Sequence, residues 1–401
     1  MEEAIKAAAN ICSTSVSDMP KELVNHLYKN GAFLIFLDVP EGTEFGIDYK
    51  SWHVGNKFLG MKMIPPGIHY IYFSVRNAPR IGFFHIFGER EILVRKWDKL
   101  REDTTVGKIS DDEISRLKSN LKQMDGGLAP YPYECYRSWF ALSNHITGKT
   151  IERLRPENEF GRITGQTELI TMENEVFENE PNVGCSSRVT RDNPTRLRFV
   201  DNDGLPIMNV RPGFEIRFSK IPQYGLTNRE SAAISGIDDT WKLETMIEVL
   251  QGESLEIIAE LQFAFVCFLI GQVYEGFEQW KRLILILCSC KKAIASYSSL
   301  YFTLLQVLFF QLKECPKDFF VDIVSKDNFL TTTLSNLFAN IEDSETVDSS
   351  LKEKSRKFKI FLTKRFKWNF DQSEADVPIS FDHYYQRCHL FEDWKAEKMG
   401  E

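Results

Sequence analysis

The chain has 401 residues, of which 43% are hydrophobic, and a formal net charge of −8 from 49 basic and 57 acidic side chains. That size and apolar content support substantial cores and predict two domains. The acidic balance excludes a whole-molecule positive field for holding phosphate backbones, so direct nucleic-acid binding is not expected. The eight cysteines are scattered along the chain and imply a reducing compartment. The start Met1-Glu2-Glu3, with Lys6 and Asn10 soon after, lacks the basic opening and apolar run of a signal peptide. The best apolar stretch, Phe263 to Ile270, is hemmed in by Glu260, Gln262, Gln272 and Glu275 and falls short of the roughly 18 residues that a membrane span requires. With 31 phenylalanines and seven tryptophans, the chain is also rich in the side chains that anchor protein interfaces.

A first helix is signalled by Ser17-Asp18 as cap, Pro20 in the first turn, Leu23 and Leu27 on one face, and Asn30-Gly31 as the stop. From Ala32 to Trp97 the period shifts to brief β-rich runs, at Ala32–Leu37, Ile68–Phe73, Ile81–Phe87 and Glu91–Trp97, which predict an antiparallel β-domain. Gly88-Glu89-Arg90 suits a tight hairpin between the last two runs. Helices return with a capping box at Ser110 to Glu113, the stripe Ile114, Leu117, Leu121 and Met124, and a stop at Gly126-Gly127. A further helix is predicted over Glu134 to His145, with Tyr136, Trp139 and Phe140 on its buried side.

Between Arg155 and about Arg211 periodicity fades into a polar linker, which closes with an expected strand at Phe214–Phe218. Helical periodicity then runs from Asp238 to Phe370. The expected helices are Trp241–Leu250, Leu255–Val273, Phe277–Leu287, Ile294–Leu312, Phe319–Val324, Phe329–Ile341 and Leu351–Phe366. Their short connections predict a bundle or helical stack. The tail beyond Asp371 offers Val377-Pro378-Ile379-Ser380-Phe381, an edge-strand donor that would order on a partner.

No catalytic, metal or cofactor motif stands up to its geometric requirements. Gly148-Lys149-Thr150 lacks the earlier glycine of a phosphate loop, since position 143 is Ser143, and reads as a helix end followed by a Thr150 cap. Asp201 to Gly204 reads as a turn, and Cys288 and Cys290 have the wrong spacing for a redox pair. Cys135 and His145 on one helix would lie about 80° and ~15 Å apart. His69 and His85 fall in β-runs and read as hydrogen-bonded structural imidazoles. The cations of Lys352 to Lys367 read as the solvated face of a helix whose inward face is Phe358, Phe361, Leu362 and Phe366.

Several segments carry a resemblance. Gly42 to Tyr49, Trp52, Lys62 to Gly67 and Ile68-His69 resemble the N-terminal signature of the AAR-two family of splicing factors. Glu260 to Leu269, Tyr274 to Lys281 and Asp318 to Leu330 resemble its C-terminal helical domain, and Pro130 to Tyr133 and Gly213 to Phe218 agree in between. The resemblance runs from about Gly31 to Phe370.

It implies an α+β protein whose β-rich N-terminal domain is joined by a linker to an α-helical, VHS-like C-terminal domain. The expected divisions are residues 1–155, 156–211, 212–370 and a tail at 371–401. It also implies a non-catalytic, cofactor-free assembly factor of the U-five small nuclear ribonucleoprotein, cytoplasmic and nuclear, monomeric when free. The implied partner is the spliceosomal scaffold protein Prp-eight, at its RNase H-like and Jab/MPN-like domains, held until exchange for the Brr-two helicase. Phe45, Asp48, Tyr49, Trp52 and Lys62 match the motif and are candidate partner contacts, with Ile379 and Phe381 of the tail. Ser186, Ser187 and Thr190, beside Arg188 and Arg191, are candidate phosphorylation sites. The alternative is a trafficking adaptor whose helical domain binds cargo or lipid. A hydrolase with a site assembled from distant residues would need a deep pocket that nothing in the sequence predicts.

Overall fold

The computed structural model describes residues 19–99, 103–104, 109–169, 208–222, 238–315, 329–368 and 370. Helix α1 (Lys21–Asn30) buries Leu23 and Leu27. It begins after Pro20 rather than around it, and its expected cap at Ser17-Asp18 lies outside the described residues. Gly31 ends it because a Cβ there would sit 2.5 Å from the Leu27 carbonyl oxygen and 2.8 Å from Met63 Cα.

The β-region comprises β1 (Ala32–Leu37), β2 (Glu44–Ile47), β3 (Lys50–His53), β4 (Gly60–Ile64), β5 (Gly67–Ser74), β6 (Ile81–Phe87), β7 (Ile92–Asp98), β8 (Asp103–Thr104), β9 (Leu128–Pro130) and β10 (Ile163–Thr164). They form two five-stranded sheets, β8-β7-β1-β4-β9 and β10-β6-β5-β2-β3. Phe36 from one sheet meets Phe45 and Phe73 from the other at ring-centroid distances of 5.8 and 5.7 Å, and Trp97 closes on Phe73 at 5.4 Å. The aromatic excess therefore fills the layer between the sheets, where large rings contribute most burial per residue.

The region is not purely antiparallel as expected: β1 pairs with β7, and β4 with β9, in parallel. The hairpin expected at Gly88–Arg90 is also absent, because β6 and β7 belong to different sheets. Arg90, at φ 56°, donates its backbone N–H to Asn30, and Glu91 accepts from Phe33. These bonds hand the chain across to β1, and a three-residue connection by length alone does not distinguish that crossing from a hairpin. Strands β2 and β4 escape a reading by β-propensity because each carries a glycine. Gly46 lies opposite Tyr72, whose ring covers it so closely that a Cβ would sit 2.2 Å from Cζ.

Helix α2 (Asp111–Met124) starts where Ser110 Oγ accepts from Glu113 N–H at 3.2 Å. Helix α3 (Tyr136–Ser143) is shorter than expected, since Tyr133–Cys135 forms a 3-10 turn instead. Helix α4 (Gly148–Leu154) follows, and β11 (Thr167–Leu169) pairs with β12 (Met208–Val210). The strand expected at Phe214–Phe218 is a strap without a strand neighbour among the described residues. Phe214 and Ile216 do face inward, but Arg217 N–H bonds the Leu154 carbonyl at the end of α4.

The helical region contains α5 (Thr240–Val249), α6 (Leu255–Leu269), α7 (Tyr274–Ser289), α8 (Ala293–Ser296), α9 (Ser298–Glu314), α10 (Phe329–Asp343) and α11 (Ser349–Phe366). Helix α6 stops four residues before the expected Val273, because Gln272 takes φ 58° and Val273 N–H turns back to Cys267. Tyr297, outside helical geometry at ψ 45°, divides the expected Ile294–Leu312 helix into α8 and α9. The expected Phe319–Val324 helix lies outside the described residues. On α11, Phe358 and Leu362 are buried, Arg365 donates to carbonyls at the end of α9, and the Lys354 ammonium sits 3.2 Å from the centroid of the Phe302 ring. No helix among the described residues is long and apolar enough to cross a membrane.

The chain is thus α+β, a β-rich N-terminal region of two sheets followed by an all-helical C-terminal region. Both contribute to one hydrophobic core. Phe84 of β6 stacks on Phe263 of α6 at 4.5 Å, and Arg80 donates to the Ile270 carbonyl at 2.6 Å.

Glu275, in the first turn of α7, has its pKa raised to about 7 by burial, with Glu215 adding repulsion against the N–H of Ile216. A carboxyl whose folded pKa is raised contributes no penalty below the unfolded value and a growing one as pH rises to about 7. Glu275→Gln should therefore leave stability unchanged at pH 4 and raise it at pH 8, by on the order of 1–2 kcal/mol after allowance for solvent exposure. Urea midpoints of the two proteins at both pH values measure this.

Candidate functional site

The segment Gly42 to His69 folds around one buried carboxylate. Strands β2 and β3 form a hairpin whose two-residue turn is Asp48-Tyr49, with Ile47 opposite Lys50 and Asp48 at φ 54°. A left-handed aspartate is uncommon and is tolerated where its side chain bonds locally. Here the bonds are long-range. Asp48 Oδ1 accepts from Tyr70 N–H at 2.9 Å, and Oδ2 accepts from His69 Nδ1 at 2.7 Å and from the Tyr131 hydroxyl at 2.6 Å. The Asp48 backbone N–H returns to the Tyr70 carbonyl at 2.7 Å. Asp48 has no exposed surface and His69 is 1% exposed.

His69 Nε2 lies 2.8 Å from the Pro65 carbonyl oxygen. The imidazole thus bridges the Asp48 carboxylate and the Pro65 carbonyl oxygen. The surrounding rings are Phe87, Tyr131 and Trp139, the last stacked on His69 at 6.4 Å. Burial, reinforced by the Asp48 charge, pushes the Tyr131 phenol well above its usual range. Trp139 Nε1 donates to the Ile68 carbonyl at 2.8 Å, and the Tyr133 hydroxyl donates to Met63 at 2.7 Å. The Pro65-Pro66-Gly67 loop is thus bracketed by side-chain bonds to the carbonyls of Met63, Pro65 and Ile68.

The candidate contacts divide accordingly. Phe45 is completely enclosed, between Phe36 and Phe58, and so is Asp48. Tyr49 is half-buried and reaches the helical region, its hydroxyl 3.5 Å from the Glu314 carbonyl, with burial and Glu314 pushing its pKa upward. Lys62 bonds Asp125 at 2.6 Å and secures the end of α2. Trp52, half-buried on Phe45 at 6.1 Å, retains exposed area on β3, the edge strand of its sheet. Ile379, Phe381, Ser186, Ser187 and Thr190 lie outside the described residues.

Other motifs resolve into structure. Thr147, rather than Thr150, caps α4, and the two form a reciprocal capping box, while Lys149 pairs with Glu253 at 3.0 Å. His85 bonds Glu91 at 2.8 Å, and burial lowers its pKa. Cys288 is buried, and Cys290 Sγ donates to the Ile286 carbonyl at 3.1 Å. Among the described residues no three His, Cys, Asp or Glu side chains gather as metal ligands.

Comparison with known proteins follows the same two regions. Residues 30–156 match the family model described as the AAR2 N-terminal domain, and residues 217–371 match that of the AAR2 C-terminal repeat region. A protein AAR2 homolog of Caenorhabditis elegans is 51% identical over 357 residues, covering 88% of this chain and 98% of the relative. The chain belongs to the AAR2 family. The AAR2 homologs of Homo sapiens and Mus musculus are 40% and 39% identical, each over about nine-tenths of this chain and 95% and 96% of the relative. The AAR2 N-terminal model spans every member of the Asp48 cluster, from Asp48 and His69 to Tyr131 and Trp139. Sequence reading missed the cluster because its partners lie 21 and 83 residues from Asp48; the available signal was a histidine inside the otherwise apolar β5 run.

Removing Asp48 takes the acceptor from three buried donors, the Tyr70 N–H, the His69 ring and the Tyr131 hydroxyl. Asp48→Ala should therefore cost about 3–5 kcal/mol, whereas Lys62→Ala, at a partly exposed pair, should cost about 1 kcal/mol or less. Chemical denaturation measures both.

Proposed function

We propose that this AAR2-family chain is a non-catalytic assembly factor of the U-five small nuclear ribonucleoprotein. It binds the spliceosomal scaffold protein Prp-eight at its RNase H-like and Jab/MPN-like domains and holds off the Brr-two helicase until maturation, without contacting nucleic acid directly. The observation that carries this reading is family membership in both regions, in order, with 40–51% identity to AAR2 homologs over about nine-tenths of the chain. On this reading the protein works in the cytoplasm and nucleus as a monomer when free.

The physical features agree with a binding role. The motif's polar groups are consumed in holding the fold, and Trp52 on an edge strand keeps surface for a partner. We place the partner contacts at Trp52 and, in the tail, at Ile379 and Phe381. Phosphorylation at Ser186, Ser187 or Thr190 would add about −1.5 to −2 charges per site and weaken the grip. The adaptor alternative draws no support from α11. There Arg356 pairs with Glu342, Lys357 with Glu353, Lys354 lies on Phe302, and Arg365 bonds carbonyls of α9.

The test is a titration of the purified chain against RNase H-like and Jab/MPN-like fragments of the scaffold protein. Full-length protein should bind stably at raised salt. Truncation after Phe370 should weaken binding at least about tenfold, equivalent to ~1.4 kcal/mol, and Trp52→Ala should weaken it while leaving the fold intact. Absence of binding by the full-length chain would contradict the assembly-factor reading.

A further inference from the structure

A second buried carboxylate cluster lies where the β-rich and helical regions meet, and it involves none of the motif residues. Glu260 of α6 is 1% exposed. Its Oε1 accepts from Ser219 N–H at 2.8 Å and Gln279 Nε2 at 2.9 Å, and its Oε2 accepts from Ser219 Oγ at 2.6 Å and Arg153 Nη1 at 2.7 Å. One carboxylate therefore collects donors from α4, the strap and α7. One turn earlier Glu256, 6% exposed, lies 3.5 Å from Arg153 Nη2 and accepts from Thr150 Oγ1 at 3.2 Å, at the cap of α4. Two residues after Glu260, Gln262 Oε1 accepts from His145 N–H at 2.8 Å, while its Nε2 donates to Asn144 Oδ1 at 2.9 Å.

Apolar surfaces such as Phe84 against Phe263 attract without direction and tolerate sliding. A buried carboxylate does not, because any displacement leaves a charge without donors in a water-poor seam. We propose that the Glu260 cluster is an orientation lock. It fixes the β-rich region on the helical region and makes the two unfold as one unit, despite the long polar stretch that separates them in sequence. Arg153 of α4 is its link to the β-rich region, paired with Glu260 at 2.7 Å and Glu256 at 3.5 Å, while Ser219 supplies two of the four bonds from within the helical region itself. A partner therefore meets a preformed surface spanning both regions, and separation of the regions has to begin by unloading Glu260.

Hydrogen exchange of the whole chain in increasing urea, followed separately in peptides from β5–β6 and from α6–α7, tests the lock without any partner, so its outcome is independent of the proposed function. In the wild type the two sets should lose protection at the same urea concentration. In Glu260→Ala and in Arg153→Ala the curves should separate, and the thermal midpoint of Glu260→Ala should fall by more than about 5 °C. Lys149→Ala, which removes only the exposed pair with Glu253, should leave the curves coincident. If Glu260→Ala does not fold, Arg153→Ala decides by the same criterion. Separate curves in the wild type, or curves that stay coincident in every variant that folds, would overturn the proposal.

Discussion

A carboxylate taken out of water is tolerated only where donors are already in place to receive it. Asp48 and Glu260 are two such carboxylates among the described residues. Asp48 gathers the β2–β3 turn, β5 and the segment after β9 into one β-rich region; Glu260 gathers α4, the strap and α7 at the boundary with the helices. The hydrophobic layers supply most of the attraction, while the carboxylates restrict which arrangement of those layers is acceptable. The same logic explains why the fold can route β1 beside β7 in parallel and still hold a single register: the crossing at Arg90 and Glu91 is tied by backbone bonds to Asn30 and Phe33.

Much of the architecture was legible in local pattern. Leu23 and Leu27, the Ser110 cap, and the Phe358 and Leu362 face of α11 each depend on neighbours within about a turn, and period and capping report such neighbours directly. Sheet partnership was not legible, because β6 and β7 look like a hairpin to any reading that sees only the Gly88–Arg90 connection. The strap shows the opposite error, a correct alternation at Phe214, Glu215 and Ile216 attributed to a strand that has no partner strand among the described residues. Period two specifies two faces; it does not specify what lies along the edge.

The candidate site shows a similar limit. Phe45 and Asp48 stand out as motif residues, and the fold uses them in packing and buried polarity. Glu260 and Gln262 were visible as interruptions of an apolar run, which argues against a membrane span, while their role in docking required the positions of Arg153, Ser219 and Asn144. A charged residue inside an apolar helix signals a buried partner without naming it. Family membership supplies the biological setting, and the geometry packs the two regions of a chain with a long polar midsection on one core.

That single body is the claim on which the rest depends, and calorimetry of the intact chain addresses it most directly. The account predicts one endotherm whose van't Hoff enthalpy equals its calorimetric enthalpy, the signature of regions that unfold together. Two resolved endotherms, or a van't Hoff enthalpy near half the calorimetric value, would contradict it and return the protein to two domains on a tether.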